Sequence, residues 1–279
     1  MPLIDANGTS IAFTQTGSGP PLVLIHGAEA DHSMFDAFAV LLAPHFTVIA
    51  YDQRDSGGTR NPADAYGLDE LADDAAALIA GLGHRRTHVF GTSLGGVIAQ
   101  VLAVRHPERV DRLVLSSTFR AGTPPLSINP AVFSTLGALR ARLPDSAAEI
   151  ARYFFPDEHI ARHPGVVSIF SGSSRTAEQR QRRAGILARP VAVDPGRIVA
   201  PTLVLVAADD RLIPPAHTLS LANEIGGART ATLAGIGHVA TIQDPAAVAR
   251  PVIAFLEEGA STRTIGGNSH ERSDGRSPR

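Results

Sequence analysis

Short, fully apolar runs recur along the chain. Leu22-Val23-Leu24-Ile25 is the first, and Thr47-Val48-Ile49-Ala50, His88-Val89-Phe90, Leu113-Val114-Leu115 and Leu203-Val204-Leu205-Val206 repeat it. Runs of this length without polar alternation belong to strands buried on both faces, in a sheet covered by helices on either side. Between them, residues 33–43, 68–82, 94–106, 215–225 and 245–257 carry apolar positions at helical spacing. Strands alternating with helices predict an α/β fold with a doubly wound, mostly parallel sheet. Two short strands are expected within 2–16, around Asn7-Gly8, a pair suited to the positive φ of a tight hairpin turn. One more is expected at 229–233.

The alternation breaks between 121 and 190. There Thr123-Pro124-Pro125 opens a Pro- and Arg-rich, mostly helical segment without a buried-strand pattern. It predicts a helical lid inserted into a core domain made of 1–120 and 191–258. Residues 259–279 are rich in Gly, Ser, Arg and Thr with almost nothing apolar, which predicts a disordered tail. With 279 residues and 44% hydrophobic composition, the remainder is long and apolar enough for a packed core. The net charge is −2, and all 25 basic residues are Arg, without the clustered excess that would mark a nucleic-acid or membrane surface. Cys is absent, which excludes disulfides, thiolate nucleophiles, iron–sulfur clusters and thiolate zinc sites. The N-terminal residues lack a basic stretch followed by an apolar one, and no apolar run reaches the ~18 residues of a membrane span. A soluble cytoplasmic protein, monomeric or homodimeric, is the expectation.

Chemistry concentrates at Gly91-Thr92-Ser93-Leu94-Gly95, where a strand runs into G-x-S-x-G and then directly into a helix. A sharp strand-to-helix turn displays its central side chain above the sheet, and glycine on both sides leaves room for the neighbouring strand and helix. The amides at the start of the helix favour negative charge on a nearby carbonyl oxygen. A serine hydroxyl is a weak nucleophile and needs a base oriented by a carboxylate. Asp209 and Asp210 follow the strand 203–206, at the sheet edge where sites of open α/β folds gather, and His238 follows the strand 229–233. A Gly-flanked turn whose Ser merely caps a helix is the plainer alternative.

Over nearly all of residues 3–258 the sequence resembles the α/β-hydrolase fold superfamily. The likeness rests on Leu24-Ile25-His26-Gly27-Ala28, on Tyr51-Asp52-Gln53-Arg54-Asp55-Ser56-Gly57, on the Ser93 elbow, and on the D-R-x-x-P at Asp210 with the G-x-G-H at His238. The resemblance implies Ser93 as nucleophile, Asp210 as orienting acid because it directly precedes the R-x-x-P stretch, and His238 as general base. It further implies an oxyanion hole made by the amides of Ala28 and Leu94, with His26 as a buttress of that loop. The second motif departs from the common D-x-R-G-x-G-x-S by carrying Asp55 at the usual Gly. That variant resembles bacterial polyketide methyl-ester hydrolases, whereas the segment 153–159 and the ending Gly-x-Gly-His-Val-Ala resemble enol-lactonases and small carboxylesterases.

The implied activity is a serine hydrolase that cleaves a small or medium carboxylic ester or lactone through an acyl-enzyme. The same triad serves thioester hydrolysis, acyl transfer or carbon–carbon cleavage beside a ketone, and a low-turnover receptor on the same fold is the alternative from another class. No cofactor or metal is expected, since no P-loop or dinucleotide-type Gly-rich loop is present. Candidate substrate-binding residues are His26, Glu29 and His32, with Asp31, around the oxyanion loop, Val239 after the histidine, and Phe133, Leu136, Tyr153, Phe154, Phe155 and Phe170 in the lid, where core packing would look the same in sequence. His159 and His163, with Glu158 alongside, could place ligands on one helical face, but Pro164 ends the turn and no third ligand is evident, so a solvated helix is expected there.

Overall fold

The computed structural model describes residues 1–189 and 191–258; the expected tail at 259–279 lies outside them. The strands are β1 (Leu3–Ala6), β2 (Thr9–Thr16), β3 (Pro21–Ile25), β4 (Thr47–Tyr51), β5 (Thr87–Thr92), β6 (Val110–Ser116), β7 (Thr202–Ala207) and β8 (Arg229–Leu233). They form one sheet in the order β1-β2-β4-β3-β5-β6-β7-β8. From β4 to β8 every pairing is parallel, and the hairpin β1-β2 joins the edge antiparallel. Asn7 and Gly8 both have positive φ, so the hairpin turn is the one their sequence favours.

The core helices are α1 (Asp36–Leu42), α2 (Leu68–Gly81) and α3 (Leu94–Arg105). Between β6 and β7 run α4 (Pro125–Ile128), α5 (Pro130–Arg140), α6 (Ala147–Phe154), α7 (Asp157–Arg162) and α8 (Ala177–Ala184). The chain ends on α9 (Pro215–Glu224), α10 (Ala240–Gln243) and α11 (Pro245–Glu257). Strand alternation sorts the core into two layers. Val23 and Ile25 pack with α2 and α3 residues such as Leu71, Leu78, Ile98 and Leu102, while Leu22 and Leu24 pack with Phe38 of α1 and Val252 and Phe255 of α11. Helices cover both faces, which is why the strands read as continuous apolar runs.

β3 pairs with β4 on one side and β5 on the other, so the chain reverses its winding direction there. Loops leaving the carboxyl ends of neighbouring strands diverge at such a point and leave a crevice. The loop after β3 and the elbow after β5 therefore meet. The segment leaving β6 is fastened by Gln100 of α3, whose Oε1 accepts from the Ala121 amide at 3.0 Å and whose Nε2 donates to Phe119 O at 2.8 Å. Helices α4 to α8 follow from that anchored exit.

Candidate active site

The elbow is built by close approach. A Cβ at Gly95 would lie 2.0 Å from Ile25 O, and one at Gly91 would lie 2.4 Å from Gly95 O, so only glycine lets α3 start this near β3. Ser93, between them, has φ 54° and ψ −124°, a conformation strained for any residue with a Cβ. Hydrogen bonds on both of its backbone polar groups hold it there. Its amide donates to Ser116 O at 3.0 Å, and its carbonyl accepts from Gly96 N at 2.9 Å and from Thr118 Oγ1 at 2.7 Å.

His238 Nε2 stands 3.0 Å from Ser93 Oγ, and His238 Nδ1 stands 2.8 Å from Asp210 Oδ2. The other carboxylate oxygen, Asp210 Oδ1, accepts the amides of Leu212 and Ile213 at 2.9 Å each. Asp210 and His238 are buried, and Ser93 keeps part of its surface. Asp209 is exposed, and only its backbone turns inward, donating to Ile236 O. A carboxylate fixed by two amides holds Nδ1 of the imidazole protonated and leaves Nε2 as the acceptor facing the hydroxyl. The arrangement can take a proton from Ser93 and return it.

The loop after β3 lies against this serine, since a Cβ on Gly27 would be 3.5 Å from Ser93 Cβ. His26 Nδ1 is 2.7 Å from Gly27 O and must carry the proton, while Nε2 accepts the Gln53 amide at 3.2 Å. Burial pulls the His26 pKa down to about 3, with the Arg183 and Arg175 charges adding to the effect. It is therefore a neutral buttress with both nitrogens occupied. In a trans peptide the carbonyl and the following N–H point in opposite directions, so gripping Gly27 O also fixes the Ala28 N–H. Leu94 opens α3, where amides have no intrahelical acceptor.

The remaining candidates divide. The Phe154 ring meets His238 edge-on at 5.6 Å and lies 4.7 Å from Phe170. Gly237 and Val239, which flank the histidine, press on Phe154 O, Val239 through its amide at 3.5 Å. The end of α6 thus covers the imidazole. Leu136 and Phe155 are fully buried, and Phe133 and Tyr153 are partly buried against the same core layer. His32 gives both its amide and Nδ1 to Asp52 Oδ1 at 2.8 Å each, and Asp31 caps the turn through the Ser33 amide. Asp31, His32 and Asp52 lie close enough for one metal ion, yet these hydrogen bonds already engage them. Glu29 is exposed, 3.6 Å from Arg175. His159 departs from the solvated helix expected of it, because its ring is buried and stacked on Phe155 at 5.1 Å.

Sequence reasoning missed three arginines. Arg175, just before α8, and Arg182 and Arg183 within it reach across to the loops after β3 and β4. Arg182 makes a two-pronged pair with Asp55, 2.7 Å on each prong. Arg175 donates to Asp55 O, Ala30 O and Ser56 Oγ at 2.6 to 2.8 Å. Burial pushes the Asp55 carboxyl up, but hydrogen bonds from Arg182 and Tyr66 outweigh it and hold the pKa below the usual range. Asp55 has φ 56°, so it occupies the left-handed slot that Gly usually fills and adds a carboxylate that Gly lacks.

A family model described as alpha/beta hydrolase fold matches residues 20–245. A 2-hydroxymuconate semialdehyde hydrolase from Pseudomonas sp. strain CF600 is 31% identical over 91% of this chain and 93% of its own length. Rhodomycin D methylesterase from Streptomyces peucetius is 31% identical over 85% of this chain and 89% of its own. Among solved structures, the enol-lactonase from Burkholderia xenovorans LB400 superposes with a TM-score of 0.77 at 26% identity, covering 91% of this chain and 99% of its own.

Proposed function

The chain belongs to the alpha/beta hydrolase fold family, and from that premise we propose that it is a serine hydrolase of carboxylic esters or lactones working through an acyl-enzyme. The observation that carries this reading is the unbroken relay from Asp210 Oδ2 through both nitrogens of His238 to Ser93 Oγ, at 2.8 and 3.0 Å. In the first step His238 takes the Ser93 proton as Oγ attacks the carbonyl carbon. The amides of Ala28 and Leu94 receive the oxyanion, and Asp210 stabilises the imidazolium. His238 then gives its proton to the leaving alkoxide, whose C–O bond breaks. Water, deprotonated by the same imidazole, attacks the acyl-enzyme, and Ser93 recovers its proton as the acid departs. No step requires a cofactor.

The segment 121–190 serves as the lid in this reading, because α6 brings Phe154 over His238 with Phe170 behind it. Similarity to a rhodomycin D methylesterase and to an enol-lactonase supports an ester or lactone as substrate, and we take it to be small or medium in size. The semialdehyde hydrolase favours a second reading, cleavage of a carbon–carbon bond beside a ketone, since its named substrate is a semialdehyde and not an ester. The test is a fluorophosphonate probe with a panel of p-nitrophenyl esters, lactones, methyl esters and a ring-opened diketone. Labelling at Ser93 with turnover of an ester or lactone is expected, and Ser93→Ala should abolish both. Turnover of the diketone alone moves the protein to the second reading. Labelling of the Ala variant at another serine removes Ser93 as nucleophile.

A further inference from the structure

Arg183 is buried, and it donates Nε to Ala28 O at 3.0 Å, one terminal nitrogen to Arg54 O at 2.7 Å and the other to Gln53 Oε1 at 3.1 Å. All three acceptors are neutral oxygens. A desolvated guanidinium spent on neutral carbonyls is costly for stability alone, because burying a charge is unfavourable unless it is compensated by its partners. Two of its acceptors, however, bear on the oxyanion loop. Ala28 O belongs to the peptide immediately after the Ala28 N–H. Gln53 in turn donates its side-chain amide to His26 O at 2.7 Å and its backbone amide to His26 Nε2 at 3.2 Å, and His26 grips Gly27 O. The guanidinium therefore braces the loop after β3 directly at Ala28 and indirectly through Gln53 and His26.

From this geometry we infer that Arg183, carried by a helix of the insertion and not by the sheet domain, is a positioning residue for the oxyanion hole. The inference rests on the serine-hydrolase reading above. Its consequence is that the insertion shapes more than the substrate pocket. With α8 seated, the peptide before Ala28 is held by His26 and the one after it by Arg183. Without the guanidinium only the His26 side is held. Arg182, through its paired bonds to Asp55, and Arg175, through Asp55 O, Ala30 O and Ser56 Oγ, make the seating, so docking and positioning fall to different arginines of one short stretch. A lysine at 183 would keep the charge but could not reproduce bonds made from three separate nitrogens, since its three N–H groups leave a single atom and not a planar fork.

The experiment compares wild type, Arg183→Met and Arg183→Lys on one activated ester, with active sites counted by the fluorophosphonate probe so that unfolded protein does not enter kcat. A phenylboronic acid, which forms a tetrahedral oxyanion on the serine, is titrated as inhibitor. Loss of an oxyanion donor costs about 10²–10³ in kcat, and a misaimed donor should cost less. Both variants are expected to lose about 10- to 100-fold in kcat per titrated site, with KM within about threefold and boronate affinity weakened by a factor comparable to the kcat loss. The inference is overturned if kcat per site stays within about threefold in both variants, if the loss falls on KM alone, or if Arg183→Lys retains full activity. Wild type that neither labels at Ser93 nor turns over the panel overturns the serine-hydrolase reading and this inference with it. Active wild type with unaffected variants overturns this inference alone.

Discussion

Asp210→Asn is the sharpest test of the relay, because the two carboxylate oxygens have unlike surroundings. Oδ1 sits between two backbone N–H donors, Leu212 and Ile213, at 2.9 Å each. An asparagine would place its carbonyl oxygen there, since an amide nitrogen would confront two donors with a third. Its NH2 would then face His238 Nδ1, which could accept only if unprotonated. The imidazole would be forced into the tautomer with the proton on Nε2, pointing at Ser93 Oγ, and it could no longer receive the hydroxyl proton. The fold should tolerate the change because the amide fills the same space. Enforcing the wrong tautomer in a serine protease triad costs about 10⁴ in kcat, equivalent to about 5.5 kcal/mol in the barrier. The assay is kcat on an activated p-nitrophenyl ester, with circular dichroism to verify folding. Asp209→Asn, at the exposed neighbour, should stay within about threefold of wild type. An Asp210→Asn enzyme within about tenfold of wild type would refute the reasoning, and a dead Asp209→Asn would mean that the acid had been taken one residue too late.

Three further outcomes follow from the surrounding contacts. Phe154→Ala should shift relative kcat/KM among acyl chain lengths more than it lowers Tm, because the ring stands over His238 at 5.6 Å; uniform loss on all substrates with a large drop in Tm would make it a packing residue only. Both Asp55→Asn and Asp55→Gly should lower stability by about 2 kcal/mol in urea unfolding, since each leaves Arg182 without its paired carboxylate although Gly suits the backbone; a stabilised Gly variant would show that backbone strain outweighs the pair. Because His26 titrates near 3 when folded against about 6.5 when unfolded, only the unfolded chain binds that proton between those values, and stability should fall as pH drops through the window. His26→Gln should remove up to about 1.4 kcal/mol per pH unit from the acid slope of urea-derived stability between pH 6 and 4.5; identical slopes would contradict the buried neutral imidazole.

The fold was legible because its signals are local. Each run at 22–25, 47–50, 88–90, 113–115 and 203–206 lies inside an observed strand, and Asn7-Gly8 turns the hairpin where expected. Burial on both faces writes itself into a strand of five residues, and helical spacing into the next dozen. The elbow was legible for the same reason, since the spacing of Gly91, Ser93 and Gly95 is a consequence of backbone atoms 2.0 to 2.4 Å from where a side chain would begin. Choosing Asp210 over Asp209 needed the motif beside it. Periodicity says only that consecutive residues diverge, and the structure shows which of the two turned inward.

The stretch between β6 and β7 was legible as helical but not in what it attaches to. Asp55 was visible as a departure from the family pattern, yet nothing near it in sequence announced a partner 127 residues away. Arg182 and Arg183 look alike in the chain, two basic residues in Arg180-Gln181-Arg182-Arg183 with nothing to set either apart. Guanidinium contacts escape sequence patterns because their long stems carry charge across a seam without leaving a hydrophobic period behind. Only the joint fact that position 55 has both a positive φ and a carboxylate shows that the loop is shaped to receive a cation as well as to turn. The same physics explains His159, whose ring is held by stacking on Phe155. A histidine beside charged residues in sequence is not thereby solvated, because burial is decided by which element packs over it, and here that is the aromatic cluster of Phe154, Phe155 and Phe170.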